Sequence, residues 1–192
     1  KRADMTRYEL FLRETRTYEI IEDVKNFRSE IGVLFLNSYN RDVLTKMFDD
    51  NRLTYTSLFK ARPHIFVSKS NPLAKHEIVS LEDLEDFPYL SYDQGIHNSF
   101  YYSEEILSQI PHKKSIVVSD RATLFNLLIG LDGYTIATGI LNSNLNVDNI
   151  VSSPLDIDDE IDIVHLKHEQ ATLSKMGEQF LDNLVKEVTF DN

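Results

Sequence analysis

The stretch Arg62–Tyr92, RPHIFVSKSNPLAKHEIVSLEDLEDFPYLSY, contains a strand, a stop, a short helix and a second strand in that order. His64 to Ser68 is a short apolar run ending in Lys69-Ser70-Asn71-Pro72. Proline has no N–H and restricts the residue before it, so the run must end in a turn there. After an extended piece from Lys75 to Val79, Ser80 with Asp83 three residues on matches a helix N-terminus, and Leu81, Leu84 and Phe87 follow at helical spacing. Pro88 closes this helix of barely two turns. Tyr89-Leu90-Ser91-Tyr92 then reads as the next strand, with the polar loop Asp93-Gln94-Gly95 at its carboxyl end.

Working outward, the same alternation continues on both sides. Upstream, Tyr8–Leu12 reads as a strand, and Ile20, Val24 and Phe27 fall on one helical stripe that Thr15 or Thr17 can cap. Ile31–Leu36 is a near-continuous apolar strand of the kind buried on both faces in a parallel sheet. The polar loop Asn37–Asn40 and a helix carrying Val43, Leu44, Met47 and Phe48 follow it. Leu53–Phe59 is an extended connection. Downstream, the pattern predicts a helix from about Ser99 to Ile110, a strand Ser115–Val118, and an apolar helix with Leu124, Phe125, Leu127, Leu128 and Leu131 that ends near Gly130–Gly133. Tyr134–Ala137 is a further strand and Asn142–Asn149 a polar loop. Ile150–Leu155 and Ile161–Leu166 flank an acidic hairpin turn at Asp156–Glu160, and a helix over 174–188 presents Phe180, Leu181, Leu184, Val185 and Val188 on one face. Strands alternating with helices define an α/β fold with mostly parallel sheets, in which ligands sit at the carboxyl ends of strands.

Composition bounds the function. The 192 residues are 42% hydrophobic, enough to build a core, and 31 acidic against 20 basic side chains leave a net charge of -11. Binding to nucleic-acid phosphates requires clustered Lys and Arg, so this chain is not expected to read DNA itself. The absence of cysteine removes disulfides, thiolate chemistry and Cys-ligated zinc, and fits a reducing cytoplasm. No apolar run approaches the roughly 18 residues of a membrane span, and no signal-peptide pattern opens the chain. There is no Gly-x-Ser-x-Gly elbow, Walker loop or Gly-x-Gly-x-x-Gly, so no catalytic residue and no cofactor is expected.

The plainer readings hold for the remaining motifs. His165 and His168 lie in an alternating, strand-like segment, where residues three apart face opposite ways, so no metal site is expected. The acidic turn lacks the glycine and ligand spacing of a calcium loop. Glu104 and Glu105, neighbours on the expected helix, diverge by about 100° and do not converge on one substrate atom. What remains is a set of hydroxyl and amide side chains at strand-to-helix corners: Thr15, Thr17, Asn37, Ser38, Ser91, Gln94, Ser119 and Thr138. Capping is what such residues do best singly, but together they point to a cleft. Helix N-termini can hold a small anion there without many lysines.

The strand, the Pro-Leu-Ala turn and the Ser80–Leu90 segment together resemble the effector-binding domain of LysR-type transcriptional regulators, in which this arrangement opens the second lobe. Asn71 stands where that family often has a histidine, at a turn read as exposed. The corner Gly130-Leu131-Asp132-Gly133 is one residue longer between its glycines than the family's Gly-x-Gly. The resemblance covers nearly the whole chain and implies a two-lobed, periplasmic-binding-protein-like (type 2) architecture hinged by two crossing strands. Lobe one is then 1–63 plus 166–192 and lobe two 64–165, with the first crossing near Ala61–His64. The family's DNA-binding winged helix-turn-helix, and the strand and helix that precede the segment matching Tyr8–Leu12, have no counterpart here, so the chain is expected to be a fragment.

The resemblance further implies that Thr15, Ser91, Ser119 and Thr138 line the gap between lobes, with Arg13, Arg16 or Arg121 as charge partners; Thr17, Ser38 and Gln94, corner residues of the same kind, are counted with them as candidate effector contacts. The implied effector is a small anion related to amino-acid or sulfur metabolism, and DNA is reached only through the absent N-terminal domain. Members of the family pair side by side, so a homodimer or higher homo-oligomer is expected, with Ile20, Ile21, Val24, Leu124 and Leu128 facing the partner. A free-standing solute-binding protein of the same fold, or an enzyme built on it, are the alternatives.

Overall fold

β1 (Gly32–Leu36) alternates buried and half-buried residues and runs antiparallel to β8 (Ile161–His168), Gly32 opposite Leu166 and Leu36 opposite Asp162. The computed structural model describes residues 9–97, 99–140 and 149–190, without the side chains of 187, 189 and 190. β2 (Leu53–Ala61) covers the other side of β8, also antiparallel, with a register shift between Ser57 and Phe59. β1 and β2 therefore run parallel to each other, joined by α2 (Arg41–Asp50), but β8 is inserted between them. The hydrogen-bonding partner comes from about 130 residues away, which no local pattern reports.

Ile21, Val24, Leu34, Leu36, Leu44, Phe48, Leu53, Val164 and Leu166 form the core of this first unit, with α1 (Thr17–Lys25) and α2 supplying its helical faces. α4 (Lys175–Phe190) follows β8, and Leu181 is its buried contact.

The second sheet has the order β5-β4-β6-β3-β7. β3 (His64–Ser68) lies antiparallel between β6 (Tyr134–Ala137) and β7 (Ile150–Pro154). β4 (Tyr89–Tyr92) runs parallel to β5 (Ser115–Val118) and touches β6 in parallel at Tyr89 and Tyr134. Among the named strands, parallel pairing thus involves only β4 and its neighbours, and the other pairs are antiparallel. α3 (Arg121–Gly130) packs Leu124 and Leu128 against Phe66, Leu90 and Val118 on one face. The opposite face buries Ile65, Val67, Leu73, Val79, Tyr89, Ile106 and Ile136, a core that extends to Phe35, Ala61, Ile161 and Ile163 of the first sheet.

The chain crosses between sheets at Arg62–Pro63 and returns between Pro154 and Ile161. The acidic segment Asp156–Glu160 is therefore this return crossing and not a hairpin turn, because β7 and β8 belong to different sheets. β8 joins the first sheet from Ile161, five residues before the boundary expected at 166.

Three local expectations fail. Residues 9–12 form no strand, and Phe11 and Leu12 are each 80% exposed: an apolar pattern makes a strand only where an edge is there to pair with it. Tyr8 and the loop residues 142–148 lie outside the described residues. The helix expected over 99–110 is reduced to one 3₁₀ turn at Phe100–Tyr102 followed by turns, where Ser103 bonds through its side chain to Glu105 and Leu107 sits at φ 63°. The Ser80/Asp83 capping pair does form, Ser80 N and Oγ each donating to Asp83 Oδ2 at 2.9 Å, but it closes only the 3₁₀ turn Glu82–Leu84.

Asn71 corrects the reading of an exposed turn. It is fully buried, accepts from Leu73 N at 2.9 Å and donates to the Asp132 carbonyl at 2.8 Å. It thereby ties the turn after β3 to the corner that ends α3. There Gly133 is required because a Cβ would lie 2.8 Å from Leu90 Cδ1 and 3.0 Å from the Pro88 carbonyl. Asn71→Ala leaves a buried N–H and a carbonyl without partners, so it should destabilise the fold by about 1–3 kcal/mol, read from the midpoint of urea unfolding. An unchanged midpoint would show that the two hydrogen bonds are dispensable.

Candidate functional site

Two arginines join the lobes. Arg16 precedes α1 and reaches across to the loop after β4, where Nε donates to the Asp93 carbonyl at 2.8 Å and Nη2 meets Asp93 Oδ2 at 2.9 Å. Gly95 holds φ +64° directly under this guanidinium, and a Cβ there would come within 2.7 Å of Arg16 Nη1. Arg121, the first residue of α3, pairs from the other side with Glu14 at 2.7 Å. Asp120 caps α3, accepting from Thr123 N at 2.9 Å and Thr123 Oγ1 at 2.7 Å, which fixes where Arg121 starts. Aromatic contacts complete the bridge: Tyr18 stacks on His97 at 3.5 Å and Tyr39 on Tyr101 at 4.9 Å.

Between these bridges lies a cavity of about 260 Å³, walled by Glu14, Thr15, Arg16 and Glu19 on one side and by Tyr92, Asp93, Glu104 and Ser119–Arg121 on the other. Five carboxylates face two guanidinium groups there, and both guanidiniums are already paired. Thr15 donates to Glu19, whose carboxyl is held below its usual range mainly by that bond. Glu104 has no hydrogen-bond or ion-pair partner among the described residues. Burial, then the neighbouring Glu105 and Glu14, push its carboxyl up to about 7, with Arg16 and Arg121 opposing. Glu105 is buried behind it and accepts hydrogen bonds from Tyr92 N and from Ser103 Oγ, the latter at 3.0 Å. Burial raises Glu105 also, and those two bonds oppose the rise. The sequence reading set Glu104 aside because it assumed a helix, and the irregular backbone of this segment removes that premise.

The expected site residues separate into three groups. Thr15, Ser119, Arg16 and Arg121 meet at this cavity. Ser91 and Gln94 line a neighbouring cavity inside lobe two. Thr17, Ser38 and Thr138 line neither: Thr17 is buried in the first turn of α1, the Ser38 amide is 3.5 Å from Asp159, and Thr138 follows β6. Arg13 pairs with the buried Asp23 at 2.6 Å, alongside Arg28 at 2.9 Å. Neither threonine caps α1, since the capping position is Arg16 and no side chain bonds there.

The residues expected to face a partner are mostly core. Ile21, Val24, Leu124 and Leu128 are at most 1% exposed, and Ile20 is half-buried. α1 and α3 need these apolar residues to cover their own sheets. Near these two helices the exposed apolar side chains among the described residues are Phe27, Ile129 and Leu131, while Leu10, Phe11, Leu12, Ile78, Ile96 and Phe100 are among those exposed elsewhere. On β8, the His165 and His168 positions face opposite ways, and His168 packs on Phe27 at 4.3 Å. Among the described residues no group of three or more His, Cys, Asp or Glu could hold a metal ion, and no helix is long and apolar enough to cross a membrane.

Two sheet-based lobes, two crossings and a polar cleft between them define a ligand-binding domain of the type 2 periplasmic-binding-protein kind. The model of the LysR substrate binding domain matches residues 2–189, so the chain belongs to that family. Solved structures share the fold. The effector-binding domain of QuiR in complex with shikimate superposes with TM-score 0.61 at 17% identity, covering 92% of this chain and 79% of that one. The BenM effector-binding domain with its effector benzoate gives 0.61 at 17%, covering 93% and 77%. HinK, a LysR family transcriptional regulator from Pseudomonas aeruginosa, gives 0.61 at 15%, covering 92% of this chain but only 59% of its own length. The chain thus spans less than two thirds of that regulator. No curated protein sequence matches it.

Glu104 makes the site pH-sensitive in a calculable direction. Its folded pKa of about 7 lies above the ordinary 4.5, so the folded state binds the proton more tightly than the unfolded chain. The charged carboxylate therefore destabilises the fold above pH 7, and that cost is relieved as pH falls from about 7 towards 4.5. Glu104→Gln should raise Tm at pH 8, and the difference from the parent should shrink steadily to pH 5 in thermal scans. A pH-independent difference would mean that Glu104 is not desolvated in the cleft.

Proposed function

We propose that this chain is the ligand-sensing domain of a LysR-type transcriptional regulator, cytoplasmic, without catalytic activity of its own, and acting on DNA through a separate N-terminal domain. The observation that carries this reading is the cleft itself, bounded by both lobes and bridged by Arg16–Asp93 and Arg121–Glu14, in a chain matched by the family along residues 2–189. A molecule binding there touches both lobes at once and changes their mutual bias by its differential affinity. Shikimate in QuiR and benzoate in BenM are precedents for small effectors in related domains.

The charge balance favours an amino-acid-like effector over the simple anion that helix N-termini alone imply. An ammonium group meets the partnerless Glu104 carboxylate, and a carboxylate competes with Asp93 or Glu14 for Arg16 or Arg121. A bare sulfate satisfies only the second requirement and faces five carboxylates. Thermal shift against the standard amino acids, with sulfate for comparison, checks this at pH 8, where Glu104 is mostly ionised. At least one amino acid should raise Tm, sulfate should not, and both Ser119→Ala and Glu104→Gln should reduce the shift severalfold, since ligands binding only the native state stabilise it by mass action. A shift with sulfate that survives Glu104→Gln would return the site to anion binding.

The expected homodimer, with its partner contacts moved to the exposed apolar residues, is supported by Ile129 and Leu131, which are 42% and 47% exposed at the end of α3. Sedimentation should show a dimer that Ile129→Glu dissociates without lowering Tm. A concentration-independent monomer mass for the parent chain would overturn it.

A further inference from the structure

We propose that lobe two contains a second small-molecule site, separate from the interlobe cleft, that binds a small uncharged polyol such as a monosaccharide or cyclitol. The site is the cavity of about 430 Å³ between the face of β4 and β5 turned away from α3 and the irregular segments 94–97 and 99–112. That volume is within the roughly 300–1,000 Å³ range of ligand pockets. Its floor is Tyr89 and Ser91, which alternate with the Leu90 and Tyr92 that pack towards α3, and its wall is formed by Gln94, Ser103, Ser108 and His112. It opens at β5, the edge strand, where Ser115 is exposed.

Three buried polar atoms without a hydrogen-bond partner belong to residues lining this one cavity: Tyr89 Oη, Gln94 Oε1 and His112 Nε2. Tyr89 is 3% exposed and Gln94 9%. Buried polar groups are almost always paired, and an orphaned one costs roughly 1–3 kcal/mol. Three around one space indicate a guest that supplies hydrogen bonds.

The chemistry of the guest follows from the walls. Five serines, two tyrosines, a glutamine and a histidine line the cavity beside Asp93, and no lysine or arginine does. The carboxylates nearby are already engaged: Asp93 by Arg16 and the Gly95 amide, Glu105 by Tyr92 N and Ser103. Burial lowers His112 and raises Tyr89, so both stay neutral near pH 7. His112 Nδ1 is hydrogen-bonded to Tyr134 Oη at 2.9 Å and its ring stacks on Tyr89 at 3.7 Å, which fixes the free Nε2 in place. An anion finds no counter-charge and an ammonium no free carboxylate. Hydroxyl groups, which donate and accept, match orphans of both kinds, and Phe100 at the rim offers a ring face to C–H groups.

Occupancy would also reach the cleft. The two cavities share Tyr92 and Asp93, and the segment over the second one carries His97 and Tyr101, which stack on Tyr18 and Tyr39 of lobe one.

The chain has no tryptophan, so Phe100→Trp gives a single reporter at the rim, and thermal shift of the unsubstituted chain gives a second readout. Ribose, glucose, galactose and myo-inositol are the probes, with sulfate as the charged comparison. At least one polyol should give a saturable response in both readouts and sulfate none. Tyr89→Phe, which deletes only the orphaned hydroxyl, should weaken that probe at least tenfold while leaving the Tm of the free protein unchanged or higher. Gln94→Met should act in the same direction should Tyr89→Phe fail to fold. Glu104→Gln should leave the polyol response intact, which separates this site from the cleft. No response to any of the four polyols in either readout would overturn the proposal. So would a fall in the free protein's Tm in both Tyr89→Phe and Gln94→Met, which would mean that permanent structural water holds these atoms.

Discussion

The placement of β8 between β1 and β2 is the constraint on which the other features depend. Ile161, Val164 and Leu166 are completely buried, and every hydrogen bond that makes the first sheet a sheet involves this strand. It is drawn from the far end of the chain, after the whole of lobe two. Lobe one is therefore incomplete until the chain has left at Arg62–Pro63, built the second sheet and returned through 155–160. Two short crossings placed side by side follow from that route, and so does the opening between lobes. Asp162 shows how tightly the return is held: it is 6% exposed and accepts from Ser57 on β2 and from Arg41 on α2 at 3.3 Å.

The cleft is built from what the strands and helices leave at their ends. Arg16 stands where α1 begins, Asp93 just past β4, and Arg121 where α3 begins, capped by Asp120. Each is fixed by backbone geometry more than by its own side-chain bonds, so the exposed ion pairs need contribute little individually to stability. Their role is positional. They hold two lobes in register across a cavity whose only carboxylate without a bonded partner or a cap to make is Glu104, and that carboxylate is the group most perturbed by burial among the cleft acids.

Much of lobe two was legible in the sequence. Pro72, Pro88 and the glycines of 130–133 punctuate the chain so strongly that β4, β5 and β6 fall where periodicity and these stops put them. Lobe one was legible in α1, β1 and α2, but not at residues 9–12, which form no strand, nor in its pairing, because Leu53–Phe59 reads as a connection and the strand that pairs with both β1 and β2 is the distant β8. Asn71 was misjudged because a turn was equated with exposure; its amide is what the α3 corner is anchored to. The site was legible only in part. Hydroxyl-bearing corners pointed to Thr15 and Ser119, which line the cleft cavity, whereas Glu104, Tyr89 and His112 gave no local signal, since their surroundings are set by the folding of an irregular segment over a sheet. The same misplaced helix, 99–110, hid both the acid in the cleft and the polar cavity beside it.

The central claim is that a ligand in the cleft sets the relation between two otherwise separately cored lobes. The chain has no cysteine, so spin labels can be placed uniquely at Lys46→Cys on α2 and Glu82→Cys in lobe two, with Lys46→Cys and Thr54→Cys as a pair within lobe one. Pulsed electron–electron distance measurement is then made with and without the amino acid that stabilises the domain. The account predicts a shorter, narrower distance between lobes and an unchanged distance within lobe one. An unchanged inter-lobe distribution at saturating ligand would contradict it.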